Sequence, residues 1–520
     1  MEERMKRFIL AILIIAIASI PSQAKYSGGS GEPNNPYQIA DANDLMTLAN
    51  DANDYNKCFI MTADIDLDPC LPGNQVFTKA VIAPDNSTES AFQGIEFTGN
   101  FDGAGHKILN LTINTYGQEN EFLGLFGYIS GGNISGLSIE NVNISPGDYS
   151  WPVGSLAGYS EDSVTNCFSS GNINGTDYIS YVGGLIGINA GSIAHCHSTV
   201  NITSGSILGG LVGENDGTII SSFSQGTITG SDTSRYLGGL VGCNGDYSDC
   251  SNLYFGTITN CFSTSDVNGN DNATEVGGLS GRNDYASTIQ FSYSTGNIKG
   301  DSYLGGLVGF NGGNINVCFT TSPVTGGGSA SNIGGITGFN EGIVIVNSYS
   351  QGNVTGKNYI GGAVGSNYWS DINQCYSTGI VNGQTNVGGF SGADEYSNIY
   401  NCYFLDVAGP NNGFAAPLTD IQMKQQASFV GWDFVWEIDN GAEDIWAICE
   451  DASYPKLARQ FDYKAGNFDK DQNVDFIDFA AMGLKWMQPD LTLYCGGADL
   501  TGDGWIDLED LAILVNNWLQ

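Results

Sequence analysis

Apolar positions in this chain fall into short runs that return at a fixed interval. The most regular is Gly183-Gly184-Leu185-Ile186-Gly187, which recurs in closely related form from Gly209, Gly238, Gly277, Gly305, Gly334, Gly361 and Gly388. Looser forms precede it at 154–158 and 124–127. Successive starts are 26 to 29 residues apart, with one interval of 39 between Gly238 and Gly277. A period of this size marks a solenoid, in which each unit buries its apolar face only against its neighbours. Each unit carries three apolar runs; in the one from Gly305 they are the phrase itself, then 314–319, then 323–326. These strands lack crossover helices. Three per repeat describe one coil of a parallel β-helix, with like strands stacked at ~4.8 Å. The pattern predicts an all-β solenoid of about ten coils over residues 121–408, a rod of roughly 48 Å before its ends are added.

The repeat also fixes columns. Asn189, Asn215, Asn244, Asn283, Asn311, Asn340 and Asn367 each follow the phrase by two residues. At one corner of the rod their amides would hydrogen-bond coil to coil. A second column alternates Cys167, Cys196, Cys261, Cys318, Cys375 and Cys402 with Ser222, Ser292 and Ser348. That exchange fits a small buried slot better than a required cross-link. The next residue is aromatic throughout: Phe168, His197, Phe223, Phe262, Tyr293, Phe319, Tyr349, Tyr376 and Tyr403. Strand alternation puts this ladder on the face opposite the Cys/Ser column. Pointing inward, it is core stacking, the plainer expectation. Pointing outward, it is a stripe suited to sugar rings or to a partner.

The flanking segments break the period. Residues 25–120 read as an N-terminal cap and first coils, with a helix over 40–52 that Asp41 caps and that carries Leu45, Met46, Leu48 and Ala49 on one stripe. In the entry, Asp102 and His106 belong to a tight glycine turn rather than a catalytic pair. Residues 409–460 are aromatic-rich and read as a cap closing the last coil, or alternatively as a separate sugar-binding module. The long interval holds an insert at 246–255 with Tyr247, Asp249 and Tyr254, and inserts on solenoids often mark the binding face.

Composition narrows the function. Arg4, Lys6 and Arg7, the apolar run 8–20 and the small residues ending at Ala24 read as a secretory signal over 1–24. That stretch holds three basic and two acidic residues, so its removal takes the formal charge from −38 to −39. So acidic a chain argues against nucleic acid and suits calcium. Outside the repeat column, Cys58–Cys70, Cys243–Cys250 and Cys449–Cys495 are candidate local disulfides. Neither a His-Glu-x-x-His zinc site nor a nucleophile elbow stands out, and acids inside the coils are scattered. His195 and His197 share a strand without a third ligand.

The firmest chemistry is C-terminal. Two segments 32 residues apart place oxygen ligands at alternate loop positions. The first offers Asn467, Asp469, Asp471, Asn473, Asp475 and Asp478; the second offers Asp499, Thr501, Asp503, Trp505, Asp507 and Asp510. Asn473 and Trp505 contribute through backbone carbonyls, and the spacing is that of an EF-hand calcium loop. The first loop departs from the pattern, with Asn467 at position 1 and Gln472 where Gly is favoured. Two calcium ions are expected, the second loop fitting better.

Two resemblances follow from these motifs. Through the Gly-Gly-Leu-Val-Gly-Phe-Asn at 305–311 and the Ser-Tyr-Ser-Gln-Gly-Asn-Val-Thr-Gly at 348–356, the chain resembles the GLUG-repeat family of bacterial secreted and surface proteins over about residues 25–410. That family implies a β-solenoid, often in adhesins or beside secreted peptidases, and does not imply catalysis. Residues 461–520 resemble a type I dockerin, which implies a small all-α calcium-ordered domain docking on a cohesin-type partner. Dockerins often read that partner at loop positions 10 and 11, here Phe476 and Ile477, and Leu508 and Glu509. The expected protein is a secreted, extracellular or cell-surface rod, adhesive or polysaccharide-binding and non-catalytic, tethered through calcium. The alternatives are a β-helix polysaccharide hydrolase or lyase, and a plain spacer.

Overall fold

The computed structural model describes residues 25–87, 91–245, 254–270, 272–435, 444–458 and Leu511. The expected signal segment, both candidate calcium loops, the candidate partner-reading positions and most of the 246–255 insert lie outside the described residues.

The repeats wind into a parallel β-helix. In the coil from Gly305, Val308–Asn311 pairs in register with Ser280–Asn283 before it and Thr337–Asn340 after it. Asn314–Asn316 and Phe319–Thr320 repeat that relation on the other faces. The stacked strands form sheets of ten, thirteen and 27 strands. The ten-stranded sheet runs from Phe126–Ile129 to Ser391–Glu395, which matches the expected coil count. The thirteen-stranded sheet begins earlier, with Tyr37–Ile39, Cys58–Met61 and Asn100–Asp102 as three further strands at the N-terminal end. In-register stacking lays Ile289, Ile315, Ile345 and Ile372 on one another inside the rod, all fully buried.

The glycine phrase is explained by closeness of approach. None of its glycines has a positive φ. A Cβ on Gly210 would instead lie 2.1 Å from the Gly239 carbonyl oxygen, and one on Gly239 equally close to that of Gly278. The left-handed corners are filled by larger residues, including Tyr181, Tyr236, Glu275 and Tyr303 before the phrase, and Asn166, His195, Asn260 and Gln374 before the Cys/Ser column. Glycine, which adopts this conformation most freely, is not needed at them. The asparagine column forms as predicted: Asn189 donates to Asn215 at 2.7 Å, and the relay continues through Asn244, Asn283, Asn311, Asn340 and Asn367. It ends on Asp394, which accepts from Asn367 at 2.7 Å.

Cys167, Cys196, Cys261, Cys318, Cys375 and Cys402 are buried free thiols. Cys261 donates to the Thr259 carbonyl at 3.2 Å, and Ser222 donates to the corresponding Ile220 carbonyl at 2.8 Å. One slot therefore accepts either residue. Burial pushes the Cys261 and Cys318 thiols up to about 12. Cys58, Cys70 and Cys243 are also free, so the first two local disulfides do not form. Cys449 is disulfide-bonded, with its partner outside the described residues.

The ends are finished differently. Helix α1, Ala42–Ala49, is capped by Asp41, whose carboxylate accepts from Asn43 and Asp44. Its Leu45 and Leu48 are fully buried against the first coil. At the other end, residues 406–418 fold over the last coil, with Ala416–Leu418 adding a strand beside Tyr403–Leu405. The aromatic segment beyond does not close that end. It lies along the flank of the rod, where Phe429, Trp432, Phe434 and Trp446 form a second core with Tyr349, Tyr376 and Tyr403.

Candidate functional site

The aromatic ladder points outward, so inward core stacking is not what occurs. Cys167 and Ser169 on either side of Phe168 are fully buried while Phe168 is half-exposed, and the pattern holds through Phe319. The interior at this level is narrow: Ser169 donates to the Gly184 carbonyl at 2.9 Å, and Ser294 to that of Gly306 at 2.6 Å. Only small side chains fit there, and the rings go outside. They stack face to face, Phe223 on Phe262 at 4.7 Å and 4°, Phe262 on Tyr293 at 5.0 Å and 5°. Each ring thereby uses its faces on its neighbours and presents an edge to the outside. His197 sits within the stack, 4.5 Å from Phe168 and 4.7 Å from Phe223, and burial holds its imidazole below the ordinary value.

The last three rungs are covered by the flank segment. Trp432 donates to the Asn401 carbonyl at 2.9 Å and Trp446 to the Asn347 side chain at 3.3 Å. Tyr376 donates to the Pro455 carbonyl at 2.5 Å, and the Tyr403 hydroxyl accepts from the Val430 amide. Phe168, His197, Phe223, Phe262, Tyr293 and Phe319 lie on the part of the ladder that this segment leaves half-exposed.

A second feature lies on the outer face of the ten-stranded sheet, where the 246–255 insert leaves the coil. Register stacks Glu214, Cys243 and Arg282 there. Arg282 binds Glu275 at 2.9 Å and Asp284 at 3.3 Å, with its guanidinium 4.2 Å from the Phe310 ring centre. Arg235 reaches Glu275 at 3.7 Å. Burial raises the Glu275 carboxyl against the pull of Arg282. Burial also works against charge on Arg282, but Glu275 and Asp284 more than offset it and hold the group above its ordinary value. The sequence reading missed this cluster: Glu275, Arg282 and Asp284 lie within ten residues, but only the folded phrase between them turns Glu275 onto Arg282, and Arg235 and Phe310 come from the neighbouring coils.

It also missed an exposed pair on the last two coils. Two residues after the asparagine column stand Gly191, Gly217, Asp246, Tyr285, Gly313 and Gly342, then Trp369 and Tyr396. That the last two coils carry large aromatics in succession was legible once the coils are aligned. Trp369 and Tyr396 stack at 5.1 Å and 18°, with Tyr368 perpendicular to both.

The tempting pair in the entry resolves into a turn: Asp102 accepts from the Ala104 amide at 2.8 Å, and His106 pairs with Asp64 at 3.1 Å on the surface. His195 sits at a corner with φ of 54° while His197 belongs to the ladder, so the two do not form a site. Among the described residues no group of three His, Cys, Asp or Glu is placed to hold a metal ion, and no helix is long and apolar enough to cross a membrane.

Comparison with known proteins agrees with the repeat. A family model of the GLUG motif matches residues 179–203 and 233–268, so the chain is a β-solenoid carrying GLUG motifs. Halomucin of Haloquadratum walsbyi is 30% identical over 144 residues, which are 28% of this chain. The chain spans only 2% of the length of that protein. A crystal structure from Bacteroides ovatus, described as a candidate immunoglobulin A1 protease, aligns over 64% of this chain and 80% of its own, at 18% identity and a TM-score of 0.36.

Proposed function

We propose that the chain is a secreted or surface-exposed, non-catalytic rod, adhesive or polysaccharide-binding, tethered by a calcium-dependent dockerin-like module at 461–520 to a cohesin-type partner or cell-surface complex. The observation that carries the binding role is the outward aromatic ladder, half-exposed from Phe168 to Phe319. A spacer has no use for a continuous apolar strip on its flank. The GLUG match and the likeness of a short stretch of Halomucin support a place at the cell surface. The oxygen spacing from Asn467 to Asp478 and from Asp499 to Asp510 supports two calcium ions. Pull-down from the source organism, with calcium and with chelator, tests the tether. Recovery of the same partner under both conditions rejects calcium-dependent docking.

The Glu275–Arg282–Asp284 cluster beside the insert favours a second reading, a β-helix enzyme acting on polysaccharide. Release of new reducing ends from a polysaccharide panel, abolished in Glu275→Gln, would establish it; binding without release supports the rod.

A further inference from the structure

Trp369 and Tyr396 are large, stacked and exposed, 64% and 72% respectively. Both adopt a left-handed backbone conformation, with φ of 54° and 57°. For a bulky residue that conformation is strained. Ala286 holds the same left-handed corner, two residues before its strand, with only a methyl group. Folding therefore gains nothing evident from these rings: the coil closes without them elsewhere, and they bury little apolar surface.

Their place differs from that of the flank ladder in one respect. There, every interior ring has a neighbour on both faces. Tyr396 stands at the corner just after the last strand of the ten-stranded sheet, so among the described residues no further coil follows to cover its outer face. Tyr368 stands at right angles beside the pair, 5.9 Å from each ring, and forms a wall. Carboxylates frame the platform. Asp394 takes the place of asparagine at the end of the relay, and only one of its oxygens is engaged, by Asn367. Glu395 is exposed, and Asp371 accepts from Asn398 at 2.9 Å.

We infer that Tyr396, backed by Trp369 and walled by Tyr368, is a binding platform for the rings of an uncharged polysaccharide. An aromatic face packs on the apolar C–H face of a sugar, while carboxylate acceptors take its hydroxyl protons. A polymer of uronic or sulfated sugars is excluded by charge: the chain carries −38, and the groups beside the platform are acidic. This rests on the polysaccharide-binding reading above and gives it a location at the C-terminal end of the rod, apart from the ladder.

Affinity electrophoresis of the full chain tests it, in gels cast with mannan, xylan, a mixed-linkage β-glucan or alginate. The variants are Trp369→Gly and Tyr396→Gly, which remove the ring and relieve the left-handed backbone, and should not lower the wild-type melting temperature. Tyr178→Gly removes a ring from another exposed pair and serves as control. At least one uncharged polymer should retard the wild type and Tyr178→Gly equally. Retardation should weaken about tenfold or more in Tyr396→Gly and Trp369→Gly, as loss of a stacking face of about 1.4 kcal/mol implies. If both glycine variants migrate like wild type in the retarding gel, the platform is not the site although polysaccharide binding stands. If no polymer retards the wild type, both ideas fall; retardation by alginate alone overturns the platform as inferred here while polysaccharide binding stands.

Discussion

His197 is the one titrating ring in an otherwise phenyl and phenol stack, and it places a pH response there. Phe168 and Phe223 flank it, and burial favours its neutral form. Its folded value therefore lies below 6.5, the ordinary value that the unfolded chain keeps. Below that ordinary value the unfolded chain binds more protons than the fold, so this contribution is lost as pH falls from 6.5 toward the folded value. The melting temperature of wild type should drop between pH 7 and pH 5.5 relative to His197→Phe, as followed by circular dichroism. A parallel course for both would reject the assignment. In the asparagine column, Asn283 accepts from Asn244 and donates to Asn311, all fully buried. Asn283→Leu leaves both neighbours unsatisfied and should cost about 2 to 4 kcal/mol in denaturant unfolding. The column was legible in the sequence because it depends on identity at a fixed period. The left-handed corners were not: residues as unlike as Glu275, Phe291 and Val317 adopt them, held by the coil and not by their own preference.

At the scale of single elements, the flank segment differs most from expectation. Its aromatics were visible, and so was its position after the last coil. Which surface it would cover was not, because that depended on which way the ladder faced. The usual rule that large apolar side chains go inside gave the wrong sign there. What decides it is the Ser169 and Gly184 contact across a narrow interior, which no residue count reveals. Trp432 is fully buried in the second core, so Trp432→Ala should destabilise the segment by about 3 to 5 kcal/mol. Hydrogen exchange should then show loss of protection at 419–435 and 444–457 and around Tyr349, Tyr376 and Tyr403, with residues 126–245 unchanged. The phrase itself has a matching test. Gly239→Ala forces a methyl to within 2.1 Å of a backbone oxygen, and Gly105→Ala, where a Cβ meets nothing, does not. Residue 239 should fail to yield soluble rod while residue 105 costs about 1 kcal/mol for its positive φ of 80°.

For the whole molecule, stability is a sum over neighbouring coils, and only adjacent units communicate. A chain ending at 458 should keep the rod's melting transition, whereas the 461–520 fragment should gain helix and melting temperature with calcium. Calorimetry and circular dichroism check both, and a fragment indifferent to chelator would remove the calcium assignment. Fold class and coil count were readable from periodicity alone. The candidate sites were less so: Glu275, Arg282 and Asp284 are near neighbours in sequence, but that they converge, with Arg235 from the preceding coil and Phe310 from the next, depends on how the coils fold and stack.

The asparagine relay has a direction. Every amide from Asn189 onward donates toward the C-terminal end, so eight side chains form one file of aligned dipoles running through the corner of the rod. Its trailing end is the Asn189 carbonyl oxygen, which has no hydrogen-bond partner, and its leading end meets the Asp394 carboxylate. No single amide can rotate without breaking contacts on both sides, so the file switches as a unit or not at all. Coils can thus be added to or lost from its middle without altering either terminus. A carboxylate accepts and cannot donate, so Asp394 ends the file and fixes the sense in which every amide before it points.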